Sequence, residues 1–537
     1  MKGFSDRNQL LAKMRDGQCN DWDIIIVGGG ITGAGVLREA TRRGYKALLM
    51  EQQDFSWGTS SRSSKMVHGG LRYLAAGDLK LTKESVEERE KLLNEAPGLV
   101  DRIAFYFTFR KGLFPGRLAM TVILAIYDFL AGIRDHRFIK TAELLQQFKG
   151  LNDTNLKGAS YYTDAMVDDS RLVLRVLQDS MADGGQALNY TKVQNLIIEE
   201  GKVCGVAIDD PQTSQPIQLR ARVVVNATGA WADRLRNTVN SEKRIRPLRG
   251  SHIIFPKHMY PVSDVMTFLH QDDKRGVYVY PWEGTTVLGT TDLDHDEDLD
   301  IEASISSQEV DYLLRGFNQQ FPSNQLTTTD ILSTWAGVRP VIGSEESKDP
   351  SKERRDHAVW SDSGLITVSG GKLTTFRLIA LDALTSAQDM LPTPKEFNDD
   401  RMFITPSISP NTLLPENPNW AQRLLGRYGA VAQTLLSEST SEDYASIGDT
   451  DFSLAECRWA IKYEGVQHLD DLLLRRTRLG MCLANGGAEL YPVLEALFKS
   501  ERQWNSEQWD TEVNRYKAIW QNYYSLPQNY YSLPQTS

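Results

Sequence analysis

The sequence of 537 residues has little cysteine and no long apolar run. Its four cysteines (Cys19, Cys204, Cys457 and Cys482) form no CxxC pair and show no zinc-ligand spacing. This scarcity argues against a disulfide framework and predicts a reducing, cytoplasmic setting without a metal site. No run reaches the roughly eighteen apolar residues that a membrane-spanning helix needs. We therefore expect a protein that does not cross the membrane.

Basic residues are also in the minority. Lysine and arginine number 60 against 70 aspartates and glutamates, which gives a formal net charge of −10. Nucleic-acid-binding proteins usually carry a basic excess, so we expect no nucleic-acid partner. A locally basic site for an anionic substrate remains compatible with an acidic chain. The length predicts two or three domains.

The most apolar segment, residues 118–131, is too short to span a bilayer. Basic residues flank it, among them Lys111, Arg117 and Arg134. Length and composition favour a buried domain helix. The alternative is a helix that lies on an anionic membrane surface, for which basic flanks are typical.

The clearest motif is a glycine-rich turn after a short apolar strand pattern. Residues 23–27 lead into GGGITG (28–33), a helical pattern and a second apolar run that ends at Glu51. Such a unit is typical of dinucleotide binding, because Gly28 allows a tight turn, Gly30 admits a pyrophosphate and Gly33 lets the helix pack closely. Glu51 stands where an acid binds ribose hydroxyls, which favours FAD or NAD over NADP.

The pattern predicts an α/β fold, with a Rossmann-like dinucleotide-binding domain, an inserted antiparallel-sheet substrate domain and a helical C-terminal domain. The predicted segments are a polar lead-in (1–20), the dinucleotide-binding domain (21–90, 155–245 and 336–392), the substrate domain (91–154 and 246–335), a linker (393–418), the helical domain (419–520) and a disordered tail (521–537). The tail contains QNYYSLP twice, at 521–527 and 528–534. Two copies are too few for a repeat fold, so we expect disorder.

Further motifs are distributed along most of the chain. They are TSSRSSK (59–65), HGGLRYL (68–74), VDDSRL (167–172), NATG (226–229), GSHI (250–253), GTTD (289–292), GVRP (337–340), GGKLTT (370–375) and RRT (475–477). Together with the glycine turn they resemble the FAD-dependent, quinone-linked (aerobic) glycerol-3-phosphate dehydrogenases, within the D-amino-acid-oxidase-like flavoprotein superfamily.

The resemblance implies FAD as cofactor and oxidation of sn-glycerol 3-phosphate to dihydroxyacetone phosphate, with hydride transfer from C2 to flavin N5. It also implies a membrane quinone as electron acceptor, peripheral attachment to the inner face of the cytoplasmic membrane and, as a further expectation, a homodimer. A glycerol-3-phosphate oxidase that reduces O₂ to H₂O₂ is the alternative, because the motifs are shared. An enzyme for another 2-hydroxy acid or an amine and a flavin-binding regulatory protein remain open.

The motifs and the resemblance together assign a set of residues to FAD. These are Gly28, Gly30, Gly33, Glu51, Thr59, Ser60, Ser61, Ser64, Lys65, Val193, Ala227, Gly229, Trp231, Gly371, Lys372 and Thr374.

A phosphate dianion calls for arginines, whose planar forks match its oxygens. The residues predicted to bind the substrate are Arg72, Tyr73, His252, Arg339 and Arg355.

The residues predicted to be catalytic are His252, Arg339 and Lys372. His252 is the first candidate for the base that takes the C2 hydroxyl proton, because histidine titrates near neutrality, and His68 is the second. Lys372 is expected to stabilise negative charge on the reduced flavin or, alternatively, to bind the substrate oxygen; its place after two glycines and before a helix favours the flavin. We expect the acidic stretch 292–296 to be a surface loop and not a metal site.

Overall fold

The computed structural model describes residue 4 and residues 6–75, 77–210, 212–213, 215–239, 242–343, 357–396 and 400–530, without the side chains of residues 72, 75 and 529. The strands are β1 (Asp21–Val27), β2 (Ala47–Met50), β3 (Met66–Val67), β4 (Val100–Arg110), β5 (Arg137–Ile139), β6 (Leu156–Val167), β7 (Gln186–Leu188), β8 (Val193–Glu199), β9 (Lys202–Asp209), β10 (Pro216–Asn226), β11 (Ile245–Pro256), β12 (Val265–Leu269), β13 (Gly276–Trp282), β14 (Thr285–Gly289), β15 (Leu293–Asp294), β16 (Ser333–Ile342), β17 (His357–Asp362) and β18 (Leu365–Gly370). The α-helices are α1 (Arg7–Arg15), α2 (Ile31–Arg42), α3 (Leu71–Ala75), α4 (Leu79–Glu95), α5 (Arg117–Ala131), α6 (Thr141–Gln147), α7 (Asp169–Ala182), α8 (Ala232–Asn237), α9 (Ser307–Gln320), α10 (Phe376–Ser386), α11 (Pro410–Leu413), α12 (Pro418–Tyr428), α13 (Ala432–Ser437), α14 (Leu454–Tyr463), α15 (Leu479–Cys482), α16 (Tyr491–Arg502) and α17 (Ser506–Tyr523).

The first sheet has a parallel centre. Its strand order is β17-β18-β10-β1-β2-β7, with β9 and β8 added beside β10. β1 runs parallel to both β10 and β2, and helix α2 packs on α7 and α10. Ile24, Ile25 and Ile26 are fully buried, because a parallel strand with both faces covered needs a continuous apolar run. This sheet confirms the predicted Rossmann-like α/β arrangement.

The second sheet is mainly antiparallel, in the order β15-β11-β14-β13-β12-β4-β6-β3, with β16 beside β11 and β5 beside β6. It differs from the predicted borders, which placed β3, β6 and residues 336–342 of β16 within the dinucleotide-binding segments. β6 instead pairs with β4 along its length, and β16 pairs with β11 from Ile245↔Ile342 to Ile254↔Ser333. Local sequence patterns do not specify such distant partners, so the borders cut through this sheet.

The C-terminal region is helical and docks on the first sheet through buried charge. A π-helical segment, Asp471–Arg476, carries Arg475 and Arg476. Both arginines donate to the carboxylate of Asp54, which follows β2. Opposite charges buried together in this way fix the position of the helical region against β2.

The prediction of a disordered tail is wrong for residues 521–530. Helix α17 continues to Tyr523, and Tyr524 is buried in the aromatic and aliphatic core of the helical region. The Tyr530 hydroxyl donates to the Ser307 carbonyl oxygen on α9. The partners that bury or bind these aromatic residues are distant in sequence, so the sequence pattern does not reveal them. Residues 531–537 lie outside the described part.

Helix α5 corrects the expectation of a buried helix. It buries Met120 and Leu124, but Leu118 is 83% exposed and Phe129 is 82% exposed. The exposed residues recur at helical spacing, so one whole face is apolar and open. No helix in the described part of the chain has the length and apolarity needed to cross a membrane.

Candidate active site

A cavity of about 1100 Å³ is lined by residues of both sheets. Val27 and Ala227 contribute from the carboxyl ends of β1 and β10, and Thr267 and Tyr278 contribute from β12 and β13. Ligands of open α/β sheets bind at the carboxyl ends of the parallel strands. The cavity therefore joins the nucleotide-binding edge of one sheet to the face of the other.

The glycine turn opens the amino end of α2 to this cavity. Gly28 has a φ of +114°, and a Cβ there would stand 2.5 Å from the Ala227 carbonyl oxygen. A Cβ on Gly33 would stand 2.0 Å from the Gly28 carbonyl oxygen. Gly28 and Gly30 line the cavity, whereas Gly33 holds the helix against the turn. An exposed helix amino end of this kind is suited to a pyrophosphate.

Glu51 lies on the cavity wall after β2. Its carboxylate accepts hydrogen bonds from the backbone N–H groups of Gly29 at 2.7 Å and Gln53 at 2.8 Å. Burial raises the pKa of Glu51, and these hydrogen bonds oppose that shift. Val193, at the start of β8, lines the same part of the cavity. Together with the glycine turn, these residues fit the adenosine half of FAD.

The serine-rich loop after β2 contributes part of the cavity wall. Thr59, Ser60 and Ser64 line the cavity. The Ser60 Oγ accepts a hydrogen bond from Ile31 N at 2.9 Å, and the Thr59 hydroxyl donates to the Val338 carbonyl oxygen. The loop is thereby tied both to the start of α2 and to β16.

Ser61 and Lys65 are also predicted to contact the cofactor, but neither is among the described residues that line the cavity. Lys65 is fully buried; its Nζ donates to the Ser61 carbonyl oxygen at 2.6 Å and lies 3.0 Å from Asp169 Oδ1. Burial lowers the pKa of Lys65 to about 8, against the attraction of Asp169. A buried carboxylate needs a buried cation, and this pairing turns Lys65 inward.

The remaining predicted cofactor residues also line the cavity. They are Ala227, Gly229, Trp231, Gly371, Lys372 and Thr374. Trp231 approaches Trp57 with ring centroids 5.9 Å apart, and the Thr374 hydroxyl bonds to the backbone of His68. The cofactor-facing surface is thus assembled from segments more than 300 residues apart.

Lys372, Tyr73 and His68 form a group on the cavity wall. The Lys372 Nζ lies 3.6 Å from the centroid of the Tyr73 ring and donates to Ser85 Oγ at 2.8 Å. The Tyr73 ring is nearly parallel to that of His68. A cation and a hydroxyl therefore reach the cavity side by side.

Arg339 and Arg275 converge on Asp292. The Arg339 guanidinium donates to Asp292 Oδ1 at 3.2 Å, and Arg275 donates to the Asp292 carbonyl oxygen at 3.0 Å. All three line the cavity. Arg275 lies in none of the sequence motifs and is therefore not predicted. Asp292 is predicted to lie in a surface loop, but it is buried.

Two predicted arginines cannot be placed. Arg72 belongs to α3, but its side chain lies outside the described part, and Arg355 lies outside the described residues altogether. Within the described ranges, no group of three His, Cys, Asp or Glu side chains is arranged to hold a metal ion.

His252, which is predicted to bind the substrate, lies next to the cavity wall and not on its described surface. His252 is only 1% exposed and is not one of the described residues on the cavity wall. Its Nε2 lies 3.0 Å from the Oγ of Ser64, which does line the cavity. Burial is the main cause that holds the pKa of His252 well below 6.5, and the positive charges of Arg339 and Lys65 add to it. The pairing of β11 with β14 places the ring against Gly289.

The fold and the site define an FAD-dependent oxidoreductase. Residues 23–377 match the family described as FAD dependent oxidoreductase, to which the chain belongs, and FAD is its cofactor. Residues 411–509 match the C-terminal domain of alpha-glycerophosphate oxidase.

The chain is a member of the aerobic glycerol-3-phosphate dehydrogenase family. It is 34% identical to the aerobic glycerol-3-phosphate dehydrogenase of Bacillus subtilis over 500 residues, which cover 88% of this chain and 89% of that protein. A relative of the same name from Staphylococcus haemolyticus is 36% identical over 68% of this chain and 66% of that protein.

Solved structures agree with this family. The glycerol-3-phosphate dehydrogenase of Bacillus halodurans, solved with FAD, is 26% identical with a TM-score of 0.75, over 96% of this chain and 97% of that one. An L-alpha-glycerophosphate oxidase from Mycoplasma pneumoniae, with FAD bound, shares the fold with a TM-score of 0.57 at 17% identity, over 72% of this chain and 100% of that one. The predicted fold class, family and cofactor are confirmed.

Proposed function

We propose that this enzyme oxidises sn-glycerol 3-phosphate to dihydroxyacetone phosphate and passes the electrons to a membrane quinone. Bound FAD supplies the acceptor for the hydride that leaves C2. The observation that carries the proposal is the pair Arg275 and Arg339 in the same cavity as the glycine turn. The names of the relatives support the choice of substrate.

The two arginines provide the phosphate site. Both guanidinium groups lie beside Asp292, and Arg275 also lies 3.7 Å from Asp273. Their planar forks can bind the oxygens of a phosphate in pairs, in exchange for these carboxylate contacts. Tyr73 adds a hydroxyl donor, and Arg72 and Arg355 stay predicted contacts.

Removal of the C2 hydroxyl proton is assigned to Ser64 and His252. Ser64 Oγ can accept the proton from the substrate as it passes its own to His252 Nε2, 3.0 Å away. Burial holds the pKa of His252 well below 6.5, so the imidazole is neutral and Nε2 can accept the proton, although as a weak base. His68 lines the cavity directly and is the alternative base. Replacement of each histidine by asparagine separates the two, because only the true base should carry the pH dependence of kcat.

Lys372 is assigned to the flavin. Its ammonium group is held on the cavity wall by Ser85 and the Tyr73 ring. A fixed positive charge there stabilises the electron-rich reduced cofactor. This role is distinct from substrate binding, so loss of Lys372 should lower kcat more than it raises KM.

Helix α5 is assigned to membrane docking and quinone entry. Phe114, Leu118 and Phe129 are exposed, and Arg117 and Lys111 lie close by in sequence. Phe114 also lines the cavity, together with Met120 and Ile123 of the same segment. An apolar face that leads into the cavity suits an acceptor dissolved in lipid. The proposed homodimer stays a prediction.

An anaerobic titration tests this function. The purified holoenzyme should lose its flavin absorbance on addition of sn-glycerol 3-phosphate and regain it with a quinone. The sn-glycerol 1-phosphate enantiomer is the matched control and should not bleach the flavin. An absorbance unchanged by the substrate would overturn the assignment, and stoichiometric peroxide under air without quinone reduction would favour the oxidase alternative.

A further inference from the structure

The duplicated tail places a buried tyrosine beside the serine-rich loop. Tyr524, from the first QNYYSLP copy, is 3% exposed. Its hydroxyl accepts hydrogen bonds from Arg62 Nε at 3.3 Å and from Arg62 Nη2 at 3.2 Å. The same guanidinium pairs with Glu302. Burial is the main cause that raises the pKa of Tyr524, so its hydroxyl stays neutral.

The backbone of the tail is attached to β16. Thr334 N donates to the Tyr524 carbonyl oxygen at 2.8 Å, and the Thr334 hydroxyl donates to the Ser525 carbonyl oxygen at 3.1 Å. Further along, the same strand carries Arg339 to the cavity. The tail therefore contacts both the strand and the loop that form two walls of the FAD cavity.

Arg62 is part of that cavity wall. Its guanidinium lies 5.1 Å from the centroid of the Trp57 ring, and both residues line the cavity. Next to it, Ser60 accepts from the first turn of α2. A Cβ on Gly337 of β16 would stand 2.5 Å from the Arg62 carbonyl oxygen, so the loop packs directly on β16.

We propose that Tyr524 is a positioning residue for FAD binding. Its hydroxyl holds Arg62, and Arg62 holds residues 57–64 in the conformation that borders the cofactor cavity. The second copy of the repeat fixes the far end of the tail, because the Tyr530 hydroxyl donates to Ser307 O at 2.9 Å and to Asp311 Oδ1 at 2.7 Å. The duplication thus lengthens the tail enough to reach α9.

The test compares Tyr524→Phe with Tyr523→Phe in the full chain. Tyr523 has the same side chain one residue earlier, half-buried at the end of α17, which makes it a matched control. A hydrogen bond to a charged group contributes enough that Tyr524→Phe should raise the FAD dissociation constant of the apoprotein by about tenfold. Flavin fluorescence measures this constant without substrate. Hydrogen exchange of residues 57–64 should also become faster in Tyr524→Phe alone.

A merely structural tyrosine gives a different result. If Tyr524→Phe lowers the unfolding temperature of the apoprotein but leaves the FAD dissociation constant within about twofold of the control, the proposal is overturned. If Tyr524→Phe does not fold, Arg62→Lys decides, because it keeps the charge opposite Glu302 and loses the fork towards Tyr524. Because Arg62 also lines the cavity, the rise of about tenfold in Arg62→Lys supports the proposal only together with faster hydrogen exchange of residues 57–64. An unchanged dissociation constant, or a rise without faster exchange, overturns it.

Discussion

The imidazole of His252 stacks on the indole of Trp335, with ring centroids 4.4 Å apart and planes 6° from parallel. Both side chains are buried, and among the described residues the His252 Nδ1 has no hydrogen-bond partner. A proton added there would put an unsolvated charge near Lys65 and Arg339, which explains the depressed pKa.

This environment predicts an acid-sensitive stability. The unfolded chain binds a proton at His252 near pH 6.5, whereas the folded protein binds it only at much lower pH. Below pH 6.5 the unfolded state therefore holds more protons than the folded state. As the pH is lowered, the free energy of unfolding decreases by up to about 1.4 kcal/mol per pH unit. Urea unfolding of the apoprotein between pH 7 and 5 measures this slope. His252→Asn should flatten it, and the exposed His258→Asn should not; equal slopes in both would contradict the prediction.

Gly33→Ala should weaken FAD binding. The added Cβ would meet the Gly28 carbonyl oxygen at 2.0 Å, so the glycine turn must shift. Overpacking costs about 1–3 kcal/mol, which predicts a FAD dissociation constant raised roughly tenfold to a hundredfold. Gly116→Ala is the control, because a Cβ there would have no described atom within 4 Å. The ratio of flavin to protein absorbance after purification, followed by FAD titration, gives the answer; full flavin occupancy in Gly33→Ala would refute it.

Arg339→Lys should impair substrate binding without loss of flavin. Lysine keeps the charge beside Asp292 but cannot bind phosphate oxygens through a planar fork. Loss of one charge-assisted hydrogen bond costs about 1.5–3 kcal/mol, so kcat/KM should fall roughly tenfold to a hundredfold, mostly through KM. Arg315→Lys on the exposed side of α9 is the control. Steady-state kinetics with normal KM in Arg339→Lys would place the phosphate elsewhere.

The exposed face of α5 should control membrane attachment. Removal of an apolar side chain from lipid costs about 1.5–3 kcal/mol, so Leu118→Ser with Phe129→Ser should lower the partition into anionic vesicles at least tenfold. Ile301→Ser is the control, since Ile301 is also exposed but lies far from α5 in sequence. Vesicle co-sedimentation measures the partition, and dye-linked activity in solution should stay unchanged. Equal partition of the unsubstituted protein, the double variant and Ile301→Ser would assign docking to another surface.

Much of the site follows from short stretches of sequence. The glycine turn, α2 and Glu51 are adjacent in the chain, and backbone sterics and strand pattern suffice to place them. The motifs at 226–229 and 370–375 likewise reach the cavity as expected, because each follows a buried parallel strand whose carboxyl end points there. Local geometry therefore identifies the FAD-binding edge, and the motifs carry the resemblance to the family.

Only the tertiary structure decides which side chains reach the cavity. His252 is buried because Trp335 of β16 stacks on its ring, and Lys65 is buried because it pairs with the buried Asp169. Arg275 reaches the site from a turn without a motif, and the open face of α5 depends on what packs against its other face. Sequence determines the backbone near each motif, but burial and charge pairing depend on partners far along the chain.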